Sequence, residues 1–175
     1  GRYYTWRREE RTDDGRWELA FGARRWRLPP PGLAGEQQYA NAAAAIVAVT
    51  ELGNARGLAI DDGGAGEAIR GARLAGRFQR IPGDVEWILD VAHNEPAAQL
   101  LAAPLAREPV KGRRWTIAGI LGDKDIDAVA RALAPVTDEW VLCGIDDPRG
   151  LAPEALRARS PAFARALTAV DVAAA

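Results

Sequence analysis

The first 28 residues contain apolar, aromatic-rich runs separated by the polar segment 12–15, a pattern typical of β-strands joined by a turn. The pattern predicts strands over 3–8, 17–21 and 23–28, and an Asp-Gly pair between the first two indicates a hairpin. We therefore expect a small antiparallel β-meander with its tryptophans packed on one face. A platform of aromatic rings for nucleic-acid bases is the less favoured interpretation. The tryptophans are Trp6, Trp17 and Trp26.

After a proline-rich connector, an alanine-rich run at 35–49 has the composition of a helix. Gln38 and Asn41 are three residues apart and so share one face near its start. Their amides either face solvent or contact a ligand such as adenine, whose edge offers a donor and an acceptor. On the helix pattern alone, the solvent-facing interpretation is favoured. A Gly/Asp-rich loop over 54–66 and a short helix over 67–72 are expected next.

Beyond residue 75, where we expect a boundary between two folding units, short apolar runs alternate with helical patterns. Such alternation predicts a parallel sheet with crossover helices. The alanine-rich end of the chain, 160–175, predicts a further helix. The predicted strands are 78–81, 85–89, 115–120 and 139–143, and the predicted helices are 97–106, 126–133 and 153–159.

Polar residues follow three of these strands, at Asp90, at 122–125 and at 146–149. Because ligands collect at the carboxyl ends of parallel strands, we expect the three turns to open on one edge of the sheet, around a buried strand at 85–89. His93, the only histidine, and Asn94 follow Asp90 at once. The structural alternative is that Asp90 caps a turn, Asn94 caps the next helix and the histidine is structural.

The amino-acid composition is that of a globular protein and argues against several classes of site and partner. With 48% apolar residues, 27% charged residues and a net charge of −1, the chain has an ordinary globular composition and no bulk charge that favours nucleic acid. Cys143, the only cysteine, excludes an internal disulfide and a cysteine metal site, and agrees with a cytoplasmic location. No apolar run is long enough to cross a bilayer, so no membrane partner is expected. Both ends suggest a fragment of a longer protein.

Five motifs occur together along nearly the whole chain. They are L-A-G-E-Q-Q-Y-A-N-A-A-A-A at 33–45, A-G-R-F-Q at 75–79, L-D-V-A-H-N at 89–94, G-I-L-G-D-K-D-I at 119–126 and D-D-P-R-G at 146–150. In order and spacing they resemble the bacterial dihydrofolate synthase/folylpolyglutamate synthase family, within the Mur-ligase-like superfamily.

The resemblance implies an α/β fold in two parts. Residues 1–74 would be the β-meander and helix that end a P-loop ATPase domain. Residues 75–175 would be a Rossmann-like, mostly parallel Mur-ligase C-terminal domain that lacks its last strand. No G-x-x-x-x-G-K-[ST] phosphate-binding loop occurs in the chain.

The implied activity is an ATP-dependent amide-bond ligase that adds L-glutamate to dihydropteroate, to folate or to both through an acyl phosphate. ATP and Mg²⁺ are the implied cofactors. The Mg²⁺ would be held mainly by the missing ATPase part, so no metal ligand is expected here. The resemblance also implies a cytoplasmic monomer with small-molecule substrates and no nucleic-acid partner.

The resemblance assigns roles to individual residues. Asn41 would bind adenine, Arg77 the ATP phosphates and Asp90 the ribose hydroxyls, while His93 would orient the incoming glutamate. Arg77, Asp90 and His93 are thus the candidate catalytic residues.

Four further residues are candidates for substrate contact. Asn94 would shape the turn, and Arg149 would meet an anionic end of the substrate. Lys124 and Asp125 would contact substrate, stabilise their turn or serve an inter-domain contact.

Two other functions remain open at this stage. A catalytically inactive Rossmann-like binding module would explain the absent phosphate-binding loop, but not the presence of Arg77, Asp90 and His93. A Mur-type ligase acting on a peptidoglycan precursor would share the fold, but the motifs at 75–79 and 119–126 favour folate.

Overall fold

A computed structural model of the chain describes residues 3–9, 15–33, 35–57, 61–108 and 110–175. The chain divides into two compact units, Gly1–Asp90 and Val91–Ala175, which are described separately. The predicted domain boundary near residue 75 stays a prediction. In the described ranges, no helix has the length and apolar character needed to cross a membrane.

The first unit begins with the predicted β-meander. Strands β1 (Tyr4–Arg8), β2 (Trp17–Phe21) and β3 (Arg24–Leu28) pair antiparallel in the order β1-β2-β3. Leu19 lies opposite both Trp6 and Trp26, so the tryptophans share one face, as expected. Most of the predicted Asp-Gly turn, residues 10–14, lies outside the described residues.

This face forms the core of the first unit. The Trp17 side chain is fully buried, and its indole N–H donates to the carbonyl oxygen of Pro29 at 2.8 Å. Tyr39 stacks on Trp6, with ring centroids 6.0 Å apart, and meets Trp17 edge-on at 5.8 Å. The rings therefore serve packing, and Trp17 has no exposed face on which a base could stack.

Two helices follow the β-meander along the chain, and both extend into the segment 54–66, which was predicted to be a loop. Helix α1 (Gln37–Arg56) is longer than predicted, and helix α2 (Asp62–Gly71) starts early because the Asp61 side chain accepts from the Gly64 N–H at 2.7 Å. The loop prediction over 54–66 is therefore wrong for its described residues at both ends. Glycine lowers helix propensity, but at Gly66 an added Cβ would lie 3.2 Å from Pro29, so the small residue permits close packing.

The unit closes with a hairpin. Strand β4 (Gln79–Ile81) pairs antiparallel with β5 (Trp87–Leu89), and Trp87 is 49% exposed. The prediction that 85–89 is a buried strand of the parallel sheet is therefore wrong. The turn at 82–84 brings β5 back onto β4, and a short local pairing of this kind needs no crossover helix.

The second unit is α/β. Strands β6 (Trp115–Ala118), β7 (Glu139–Cys143) and β8 (Leu167–Ala169) form a parallel sheet in the order β6-β7-β8. This arrangement confirms the predicted α/β class with a parallel sheet. The helices are α3 (Glu95–Arg107), α4 (Ile126–Leu133) and α5 (Pro153–Arg157), with 3₁₀ turns at Ala134–Val136 and Pro161–Phe163.

The end of the chain differs from its prediction. The alanine-rich segment 160–175 was expected to form a helix, but after a single 3₁₀ turn it supplies β8. Its Leu167 and Thr168 pair with Val141 and Leu142 of the buried strand β7. Pairing along the free edge of β7 outweighs the helix propensity of alanine, which is a weak preference that tertiary contacts override.

Candidate functional site

Arg77 lies on a tightly constrained turn of the first unit. Gly76 and Phe78 on either side of it have φ angles of +67° and +43°, and Phe78 is the only non-glycine residue with a positive φ in the described part of the chain. The Phe78 N–H donates to Asp90 Oδ2 at 2.8 Å, and the Gly76 N–H donates to Gln79 Oε1 at 3.0 Å. The Arg77 side chain is exposed and makes no hydrogen bond or ion pair with the described residues.

Asn41 lies one turn into α1, in the same unit. Its side-chain amide donates to Gln38 Oε1 at 3.1 Å, so the two amides share a face, as their spacing predicts. Asn41 is exposed and Gln38 is half-buried. The pair is open to solvent, and its use in binding adenine stays a prediction.

His93 and Asn94 open the second unit at the start of α3. The Asn94 Oδ1 accepts from the Ala97 N–H at 3.0 Å, which makes Asn94 the N-cap of the helix. His93 Nδ1 lies 2.9 Å from the carbonyl oxygen of Val91. Because a carbonyl only accepts, Nδ1 carries the hydrogen of this bond, and in the neutral ring Nε2 is left as an acceptor. The His93 side chain is exposed, so this nitrogen can reach a ligand.

The turns after β6 and β7 meet at the carboxyl edge of the parallel sheet. The Gly122 N–H donates to the carbonyl oxygen of Arg149 at 2.8 Å, and the Arg149 guanidinium lies 3.6 Å from Asp123 Oδ2. Lys124 Nζ donates to the same oxygen at 3.1 Å. The sequence prediction that these two turns share one edge is therefore confirmed, whereas Asp90 follows β5, which is not a strand of this sheet.

Two aspartates that the sequence did not single out, Asp123 and Asp147, bind the cationic side chains of these turns. Asp147 Oδ1 accepts from the Arg149 backbone N–H at 2.8 Å and from its Nε at 3.2 Å. These bonds lower the pKa of Asp147, and the hydrogen bond from Lys124 is the leading cause that lowers the pKa of Asp123. The available signal was local: each aspartate stands one or two positions before the cation it binds.

Asp125 has a structural position. Its Oδ1 accepts from the Ala128 N–H at 3.0 Å and caps α4. Of its predicted roles, turn stabilisation is the one for which this hydrogen bond speaks.

The predicted site residues fall into both compact units. The first unit holds Asn41, Arg77 and Asp90; the second holds His93, Asn94, Lys124, Asp125 and Arg149. Across the described residues, no three His, Cys, Asp or Glu side chains gather in a way that could hold a metal ion.

Comparison with known proteins shows which family the chain resembles. Residues 76–175 match the family described as "Mur ligase, glutamate ligase domain". The chain is 36% identical over 116 residues to the dihydrofolate synthase/folylpolyglutamate synthase of Escherichia coli K12, covering 66% of this chain and 26% of that protein.

The structural comparison covers almost the whole chain. E. coli FolC in complex with DHPP and ADP superposes with a TM-score of 0.78 at 29% identity, over 97% of this chain and 38% of that one. A bifunctional folylpolyglutamate synthase/dihydrofolate synthase with Mn, AMPPNP and L-glutamate bound gives a TM-score of 0.75 at 30% identity, over 96% and 38%.

The chain thus spans between a quarter and two fifths of the length of these relatives. The resemblance to the dihydrofolate synthase/folylpolyglutamate synthase family is confirmed in both sequence and fold. Since the family match covers more than half of the residues, the chain belongs to the Mur ligase family, whose glutamate ligase domain it carries at residues 76–175.

Proposed function

We propose that the protein to which this chain belongs is an ATP-dependent ligase that adds L-glutamate to dihydropteroate, to folate or to both. The observation that carries the proposal is the likeness over 97% of the chain to E. coli FolC in complex with DHPP and ADP. A folate enzyme is favoured over a peptidoglycan ligase because the curated relatives are dihydrofolate and folylpolyglutamate synthases.

The proposed reaction has two steps. An acceptor carboxylate attacks the γ-phosphorus of ATP, so that an acyl phosphate forms and ADP leaves. The glutamate amine then attacks the acyl carbon, phosphate leaves, and the amine nitrogen loses a proton as the amide forms. Both steps bring anions together, so their rates depend on positioning and on cations that offset charge.

The first unit would serve the nucleotide. Arg77 is exposed, permanently charged and without a hydrogen bond or ion pair to the described residues, which suits it to the ATP phosphates. Asp90 would accept from the ribose hydroxyls; a carboxylate has lone pairs for this beyond the one used by the Phe78 N–H. Asn41 would bind the adenine edge.

The second unit would serve glutamate. His93 presents Nε2 to solvent beside the start of α3, where a helix N-terminus favours negative charge. Asn94 would shape this turn through its cap. Lys124 and Arg149 would meet substrate carboxylates, although Asp123 already offsets part of their charge.

ATP-dependent ligases of this kind use Mg²⁺ to shield the transferred phosphate. The described residues offer no group of ligands for it, so no step on this chain is assigned to the metal. A cytoplasmic location and a monomeric state complete the proposal; the first rests on the single cysteine and the second on the family resemblance.

Two alanine variants of the complete gene product test the proposal. For Arg77→Ala we expect turnover to fall by about 10²- to 10³-fold, the usual loss when one charge-stabilising group is removed. Arg56→Ala is the matched control, since Arg56 is an exposed arginine of the same unit without a contact among the described residues. Equal rates for Arg77→Ala and wild type would contradict the phosphate role.

The His93→Ala variant separates the two substrates. We expect a raised KM for glutamate and reduced glutamate-dependent turnover, with the KM for ATP unchanged. Gln99→Ala, on the exposed surface of the same helix, is the control. Unaltered glutamate kinetics in His93→Ala would refute the assignment of that residue.

A further inference from the structure

The turn that carries Arg77 is held in an unfavourable backbone conformation. A φ of +43° at Phe78 is a position that a bulky residue adopts only when its surroundings impose it. The residue before Arg77 is Gly76, which takes φ +67° without such strain. Arg77 therefore leaves the backbone between two left-handed residues, and its direction depends on both.

Three side chains impose this conformation. Asp90 accepts from the Phe78 N–H at 2.8 Å, and Gln79 accepts from the Gly76 N–H at 3.0 Å. The guanidinium of Arg80 lies 5.4 Å from the centre of the Phe78 ring and also pairs with Glu86 at 2.8 Å. The bond to Asp90 is the one that joins the turn to the end of β5, and it is charge-assisted, which makes it the strongest of the set.

We propose that Asp90 is a positioning residue for Arg77: its carboxylate holds Phe78 in the left-handed conformation and thereby fixes the direction of the Arg77 side chain. This inference rests on the proposed nucleotide role of Arg77 and adds a second role for Asp90 beside ribose binding. Asp90 would then act on Arg77 through the backbone of Phe78, by way of the Phe78 N–H bond.

Variants at position 90 test whether the bond to the Phe78 N–H contributes to activity. Asn retains an oxygen that can accept from the Phe78 N–H, whereas Ala does not. For Asp90→Ala we expect kcat/KM for ATP to fall by about 5- to 30-fold, the range that corresponds to a contact of one or two kcal/mol. Asp90→Asn should recover most of that loss. In Asp90→Ala/Phe78→Asn part of the activity should return, because Asn tolerates the left-handed region.

A double-mutant cycle tests whether Asp90 acts through Arg77. If it does, Asp90→Ala in an Arg77→Ala background adds much less than its effect in the wild type. A fully additive loss would mean that Asp90 acts on the nucleotide alone, and it would overturn the positioning role.

A second readout does not depend on ligase activity. In the 175-residue chain the Phe78 amide should exchange slowly with solvent, lose its protection in Asp90→Ala and keep it in Asp90→Asn. Unchanged protection in Asp90→Ala would overturn the proposal. A complete gene product without ATP-dependent activity would instead refute the proposed function, so the two failures are distinguishable.

Discussion

At the scale of single residues, the polar side chains at 90–94 form structural hydrogen bonds and are also candidates for binding substrate. The sequence left open whether Asn94 is a cap or a ligand-binding residue, and the structure shows the cap. The same holds for Asp125 on α4. The side-chain oxygen that caps a helix can also accept a hydrogen bond from a substrate. Variants are therefore needed to separate the two roles.

Substitution of Asn94 makes that separation. We expect Asn94→Ala to lower the free energy of unfolding by about 1 kcal/mol, because the Ala97 N–H loses its acceptor. Asn94→Asp keeps a capping oxygen and should retain wild-type stability in urea titrations. If Asn94→Ala unfolds at the wild-type urea concentration, the cap contributes nothing measurable.

At the scale of elements, the most reliable predictions were those with a strong local pattern. The predicted bounds 126–133 and 139–143 match α4, which buries apolar residues at helical spacing, and β7, in which every residue after Glu139 is buried. The failures at 54–66 and 160–175 involve packing or pairing with a distant segment, Gly66 against Pro29 and Leu167 beside Val141, which local propensity does not encode. The failure at 85–89 has a different cause, because this segment pairs with its neighbour 79–81 in a hairpin instead of joining the parallel sheet.

The two turns at the sheet edge predict how the stability of the protein changes as the pH falls. Asp123 and Asp147 have pKa values below the ordinary 3.8, so the folded state favours their charged forms. Their stabilisation is therefore fully present above pH 3.8 and is lost as the pH falls through the lower pKa of the folded state.

Urea unfolding as a function of pH measures this effect. Asp147→Asn should be less stable than wild type at neutral pH, and the difference should shrink below about pH 4 as the wild-type carboxylate takes up a proton. Asp146→Asn, the neighbouring exposed aspartate, is the control. A stability difference that stays constant down to pH 2 would contradict the ion-pair origin.

At the scale of the whole molecule, the candidate site could be predicted only in part. The sequence motifs predict roles for Arg77, Asp90 and His93 that stay predictions, whereas the family and the fold that the motifs indicate are confirmed. The constraint on Phe78 and the two missed aspartates could not be predicted, because a φ angle and a contact between loops are properties of the folded chain.

Phosphate release by the complete gene product tests this account most directly. It is measured with ATP and L-glutamate, first with dihydropteroate and then with tetrahydrofolate as the acceptor. We predict release that requires ATP, glutamate and at least one of the two acceptors, and the preferred acceptor identifies the dominant activity. A folded protein that releases no phosphate with either acceptor would contradict the assignment as a folate ligase.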